Sequence, residues 1–317
     1  MSGCAGNDRR VQGFLSLVGG AVDTLAGASL LALAVGIALH LGKVAAEARS
    51  WHAIVDHAHP TNRIRFRTTL AAFASAIGAN AILPARVGEA LRLGIMRRRV
   101  PGSTVAVMAG TIVLETAIEV VFGAGVIVGV LLAGRSIGSV SSPVALALSH
   151  PIALLGVGGC ALGSGIIGWR YRQRLAGIAR SMAQGMSIVG SPGRLLRGVM
   201  TWKLIAWTLR FAAVYFFLQA FHLGGGLWIV LLVVAAQNLA GMLPLAPGSA
   251  GTQQAALALA LAGTVSTGAV VGFGIGMQLA TALADVVIGI AAVALVSSWA
   301  DVAAALRPSR RSVAAAS

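Results

Sequence analysis

Glu115 and Glu119 stand four residues apart in a run that carries no other charge between Arg99 and Arg135, so on a helix they share one face. Arg210 and Asp285 are as isolated, bounding a stretch from Phe211 to Ala284 that contains no Asp, Glu, Lys or Arg. Arg86 sits two residues after Pro84, between apolar segments. An ionisable side chain at bilayer depth costs at least about 2.5–3.5 kcal/mol on insertion scales, so it normally faces a cavity or a partner and is a functional candidate by default. Three roles are open to Glu115, Glu119, Arg210 and Asp285: the polar lining of a pathway, proton coupling, or an ion-pair network of Arg210 with Glu119 or Asp285 that locks a helix bundle. Lys203 and His40 fall near the ends of apolar runs, where a side chain reaches the interface by snorkelling, and they are left out of this set.

Groups in such positions need membrane helices to carry them. Of 317 residues, 57% are apolar and 10% charged, against about 45–50% and about 25% in a soluble domain. A soluble globular protein is excluded, and the expected fold class is all-α, a polytopic helical membrane protein. A net charge of +15 in a soluble chain would suggest nucleic acid. Here Arg gathers at the edges of apolar segments, which fits cytoplasmic loops facing anionic head groups, and no nucleic-acid partner is expected. The run Leu15 to Leu41 is too long for a signal-peptide core and is read as a membrane helix. Cys4 and Cys160 allow no disulfide framework or thiolate metal site.

Arg49, Arg63, Arg65 and Arg67 precede the apolar segment Thr68 to Leu83, and Arg97, Arg98 and Arg99 follow Val87 to Met96. Both flanks want the cytoplasm. The stretch between them, broken at Pro84, is too short for two spans of about 20 residues, which predicts a re-entrant hairpin lining a cavity. Spans are expected over Ser103 to Leu132, Pro151 to Gly168 and Lys203 to near His222. A basic loop with Ser181 to Val189 on the membrane surface comes before the last of these. A second broken pair follows, Leu227 to Leu243 and then a short helix to Leu261, before a final span Ala269 to Ser297. Each half then holds a span, a Pro-broken hairpin and a span in opposite directions, an inverted repeat of about five spans and two re-entrant hairpins, with the N-terminus outside. The chain is read as one membrane domain, 1–317: half 1 over about 15–133, a connecting span and basic loop over about 144–198, half 2 over about 201–298 and a tail over 301–317. Gly125-x-x-x-Gly129 and Gly272-x-x-x-Gly276 are expected at helix contacts.

The helix opening after Pro84 would point free N–H groups into the cavity, a setting that suits an anion. Arg86 and Arg92 would add contacts to a phosphate, with Glu89 orienting one of them. Gly248, Gly251 and Thr252 would offer close-approach backbone and a hydroxyl from the second hairpin. His52, His57 and His59 are read as solvated or head-group-level histidines rather than metal ligands. No nucleophile elbow, phosphate loop or zinc-protease pattern is present, so no cofactor or metal and no enzymatic activity are expected.

The run Asn80-Ala-Ile-Leu-Pro84-Ala-Arg86-Val-Gly88-Glu89-Ala-Leu-Arg92 resembles the N-x-x-L-P-x-R-x-G-E-x-x-R signature of the lysylphosphatidylglycerol synthase transmembrane family. Leu243-Pro244-x-x-Pro247-Gly248-x-x-Gly251-Thr252 is similar to its second signature, and Arg49-Ser50-Trp51 to an Arg-Trp pair that closes an early helix. The likeness spans roughly residues 20–300. Where family members often carry Glu-Arg and then Asp, this chain has Glu115-Thr116-Ala117-Ile118-Glu119, and Arg210 is the candidate replacement counter-charge. The family is named for the flippase half of proteins that attach lysine to phosphatidylglycerol and move the product. With no synthetase-like domain in these residues, the resemblance implies translocation of a phosphate-bearing lipid across the bacterial cytoplasmic membrane. Asn80, Pro84, Arg86, Gly88, Glu89, Arg92, Pro244, Pro247, Gly248, Gly251 and Thr252 would bind the head group. Two alternatives use the same elements: an ion-coupled transporter of a small solute, and a non-catalytic membrane partner of a lipid-modifying enzyme.

Overall fold

The computed structural model describes residues 26–83, 87–133, 172–224, 226–241, 251–261 and 265–296. They form nine helices: α1 Leu30–Ala58, α2 Phe66–Ile82, α3 Val87–Arg99, α4 Val105–Leu132, α5 Arg172–Gly185, α6 Thr201–Ala220, α7 Leu227–Gly241, α8 Thr252–Ala260 and α9 Thr267–Val296. Among the described residues there is no strand. A 3-10 turn Ser187–Gly190, a helical turn Pro192–Arg194 and a π-helical stretch Leu195–Met200 lead from α5 into α6.

Among the described residues three helices are long and apolar enough to cross a membrane, over Leu30–Ala58, Val105–Val130 and Thr267–Ala294. The breaks follow local chemistry. Leu83, next to Pro84, adopts φ −97° and ψ 139°, the extended conformation that a following proline imposes, and α2 stops there. Gly251 enters α8 at φ 83°, a left-handed conformation that glycine adopts without steric penalty. The expected span Pro151 to Gly168, together with Pro84, Arg86, Pro244, Pro247 and Gly248, lies outside the described residues.

α1 and α6 run antiparallel and form the most extensive helix contact. The pair is tied near both ends, where Ser29 N–H donates to the Ala220 carbonyl at 2.8 Å and Ser50 Oγ donates to the Val199 carbonyl at 3.2 Å. α2 packs on α3 and, more extensively, on α9; α7 packs on α8 and on α4. The α2–α9 approach is backbone to backbone: a Cβ added to Gly78 would stand 2.8 Å from the Gly289 Cα. Two apolar cores result. One gathers Trp51, Phe73, Leu91, Met96, Met108 and Val199; the other gathers Phe217, Val233, Val234, Leu257, Phe273 and Met277.

Three expectations need correction. The early helix does not close at Arg49-Ser50-Trp51: α1 continues to Ala58 and packs its last turns into the first core. In consequence His52 and His59 are buried rather than solvated; the His52 ring nitrogen bonds Thr69 Oγ1 at 3.0 Å, and that of His59 bonds the Val55 carbonyl at 3.1 Å. Ser181 to Val189 divides between the end of α5 and the 3-10 turn; α5 ends at Gly185 and lies hard against α4, with the Gly110 and Gly185 positions each within 2.2 Å, Cβ to carbonyl oxygen, of the other helix's backbone. The close glycine contacts fall at these sites, while Gly125 and Gly129 are exposed with open space beside them.

Candidate functional site

A cavity of about 650 Å³ is lined by side chains of α1, α2, α3, α4, α6, α7 and α9. Its charges form a chain. Arg92 of α3 bonds Glu115 of α4 and lies 3.5 Å from Glu89. Lys203 of α6 reaches Glu115 at 3.7 Å and Glu119 at 2.9 Å. Arg210, two turns further along α6, lies 3.5 Å from Glu119 and donates to the side-chain oxygens of Asn238 at 3.2 Å and Gln237 at 3.4 Å on α7. Beside this chain His40 of α1 holds Asp285 of α9 at 2.8 Å, and Lys43 holds Glu47 at 3.2 Å.

The apolar core positions the charges. Arg92 is 3% exposed, and its guanidinium stacks 3.5 Å from the Trp51 ring centre and 4.6 Å from that of Phe73. Such stacking favours the delocalised, weakly hydrated guanidinium over an ammonium. Trp51 is fixed in turn by its Nε1–H donating to Thr111 Oγ1 at 3.1 Å. Arg92 is thus held inside the protein, with its guanidinium enclosed by the first apolar core. Lys203 is 1% exposed, and both it and His40, assigned to the interface by sequence, belong to the cavity.

Two smaller pockets share residues with the first. One of about 190 Å³ shares His40, Lys43, Arg210 and Gln237 and adds Gln253 and Thr281. Another of about 470 Å³ shares Asp285 and is lined by Asn80, Gln253, Gln254, Gln278 and Thr281. Gln254 bonds Gln278 and accepts the Gly251 N–H at 2.7 Å, so the start of α8 is held by its own side chain. Thr252 is the first residue of α8.

The structure brings Glu89, Arg92, Glu115, Glu119, Arg210 and Asp285 to one cavity. Asn80 and Gly88 meet each other instead: Asn80 Oδ1 accepts the Gly88 N–H at 2.8 Å. A side chain on Gly88 would collide with the Ala76 carbonyl oxygen at 2.0 Å. Their evident work is to clasp α2 to α3. The residues missed, His40, Lys43, Glu47 and Lys203, carried a readable signal. His40, Lys43 and Glu47 follow a three-and-four spacing, and Lys203 and Arg210 lie seven apart, each set one face of a helix.

The arrangement can hold both signs of charge away from bulk water, and it offers each ionised group a choice of partners. Glu119 sits between Lys203 and Arg210, and Lys203 between Glu115 and Glu119. Neither the curated proteins nor the solved structures give a match to the chain. The family described as lysylphosphatidylglycerol synthase TM region matches residues 14–289. With the match running through both Pro-broken segments and every element of the cavity, this chain belongs to that membrane-protein family.

Proposed function

We propose that the protein is a multi-pass translocator of the cytoplasmic membrane, not an enzyme, and that it moves the head group of a phosphate-bearing lipid through the charged cavity while the acyl chains stay in the bilayer. The observation that carries this reading is a crossed pairing of charges. Glu119 on α4 reaches Arg210 on α6, and Asp285 on α9 reaches His40 on α1. In an inverted repeat with α1–α4 as one half and α6–α9 as the other, each half sends a carboxylate from its last helix to a base on the first helix of the other half.

The sequence register supports the same repeat. Gly78 stands six residues before Pro84, and Asn238 six before Pro244. Gly78 meets Gly289 on α9; Asn238 meets Gly123 on α4, where an added Cβ would lie 3.3 Å from the Asn238 side chain. Counting back four residues from Gly123 and Gly289 reaches Glu119 and Asp285. The helix packing also survives the exchange of halves: α1 with α2 against α6 with α7, α3 with α4 against α8 with α9, and α2 with α9 against α7 with α4. Repeats of this kind place substrate and coupling ions at their interface and work by moving one part against the other. In this reading α2–α3 and α7–α8 are the two re-entrant hairpins, entered from opposite faces. Paired charges that can change partners let a cavity accept a phosphate without leaving a bare ion in hydrocarbon.

The test is translocation in proteoliposomes of fluorescent phosphatidylglycerol, lysyl-phosphatidylglycerol and polyprenyl-phosphate analogues. Movement of at least one analogue, lost in both Glu119→Gln and Asp285→Asn, is the expected result. Folded protein that moves none of them, or loss in one variant with full activity in the other, would overturn it.

A further inference from the structure

A second cavity, away from the charged chain, has the opposite electrostatic character. It is about 1070 Å³ in volume and lies where the last turns of α1 meet the segment leading into α6. Its lining includes Arg49, His57, Arg194, Arg197 and Trp202, with Asp56 as the acidic member. In the central cavity Lys43, Arg92, Lys203 and Arg210 each have a carboxylate within 4.0 Å. Among the described residues no carboxylate comes within that distance of Arg49, Arg194 or Arg197. Three guanidiniums around one pocket repel each other, and a phosphate is the ligand whose geometry their forks match.

The pocket is built rather than incidental. Ser50 Oγ ties α1 to the Val199 carbonyl, and the Gly198 position closes to 3.2 Å, Cβ to Cβ, on Ala53, so the two walls are fixed to each other. The Arg49 guanidinium is steadied 5.2 Å from the Phe66 ring centre. Arg194 and Arg197 lie on or beside the π-helical stretch Leu195–Met200, a geometry often found at functional sites. Trp202 supplies the amphipathic ring that membrane interfaces favour.

We infer that this pocket is a binding site for the phosphate of an anionic phospholipid head group, separate from the translocation cavity and occupied from the Arg-rich face of the membrane. Basic pockets between helices at that level bind anionic head groups. A bound phosphodiester would bridge the α1 end to the α6 lead-in, joining them across the pocket through its oxygens.

The full chain is reconstituted in nanodiscs of phosphatidylcholine alone or of equal parts phosphatidylcholine and phosphatidylglycerol, and retained lipid is read by native mass spectrometry. Wild type is expected to retain phosphatidylglycerol. Arg194→Gln/Arg197→Gln is expected to weaken that retention at least about tenfold, the loss of a charge-assisted contact. Arg63→Gln/Arg67→Gln removes as much charge outside the pocket and is expected to retain the lipid. Equal loss in the two double variants, or no loss in the first, overturns the site. Arg197→Lys keeps the charge and loses the fork; it carries the test if the double variant unfolds in phosphatidylcholine, and its full retention overturns a guanidinium site. In detergent, stabilisation by inorganic phosphate would assign recognition to the phosphate group itself, and stabilisation by phosphatidylglycerol alone would assign it to the whole head group. Stabilisation by neither overturns the proposal.

Discussion

The α2–α3 pair and the α7–α8 pair approach the middle of the molecule with different chemistry. The first brings Glu89 and Arg92, the second Gln237, Asn238, Gln253 and Gln254. A buried guanidinium has to be paired, and removing its partner leaves an uncompensated charge at a cost of about 3–5 kcal/mol. Carboxamides carry no net charge: Gln254 bonds Gln278, while Gln237 and Asn238 accept from Arg210, each neutral bond contributing about 0.5–1.5 kcal/mol net and each bond to the guanidinium about 1.5–3 kcal/mol. One side of the cavity is therefore held by strong, specific pairs, and the other by bonds that are cheap to exchange.

Substitutions can break or sharpen that contrast. Arg92→Met removes the closer partner of Glu115, leaving it the 3.7 Å contact to Lys203, and takes away the plate against Trp51 and Phe73; a loss of about 3–5 kcal/mol is expected, read by denaturant unfolding in detergent, and a loss below 1 kcal/mol would abolish the distinction between the two sides. Gly78→Val comes next, because its side chain meets α9 backbone, the Asp285 carbonyl and Gly289, rather than a side chain that could move aside. Overpacking of about 1–3 kcal/mol or more is expected, and Gly289→Val should behave alike if the contact is mutual. Lys203→Met leaves Glu119 to Arg210 and Glu115 to Arg92; with both carboxylates still paired, its cost should be smaller than that of Arg92→Met. Gln254→Ala removes the bonds to Gln278 and Gly251 N–H and should cost about 1–2 kcal/mol. A value as large as that for Arg92→Met would show that the amide side is held as firmly as the charged one.

Much of this was legible in the residues. The end of α2 before Pro84, the span Val105–Leu132 and the final helix Thr267–Val296 follow from apolar length and a proline that disfavours helical geometry in its neighbour. Glu115, Glu119 and Asp285 announced themselves by standing alone in apolar sequence. Lys203 and His40 did not, because distance from a span end says nothing about which face a residue occupies; the helical spacing to Arg210 and to Lys43 does. His52 and His59 misled for a related reason: a polar stretch can be the buried end of a long helix, and His52 satisfies its ring through Thr69, a partner no local pattern reveals. The Gly125-x-x-x-Gly129 pattern misled too, whereas Gly272 and Gly276 are buried; Gly78 and Gly110 follow Ala74 and Ala106 by four residues, a spacing common in this sequence, and contact is decided by the partner helix.

The antiparallel α1–α6 pair, tied at Ser29–Ala220 and at Ser50–Val199, gives the molecule a fixed frame of reference. His40 and Arg210 both belong to this strut, whereas Asp285 and Glu119 ride on α9 and α4. If the cavity changes shape, His40 and Arg210 are the stationary posts and Asp285 and Glu119 the travelling ones. Spin labels on α1 and α6 should then keep their separation through every state, while labels on α4 and α9 register the stroke.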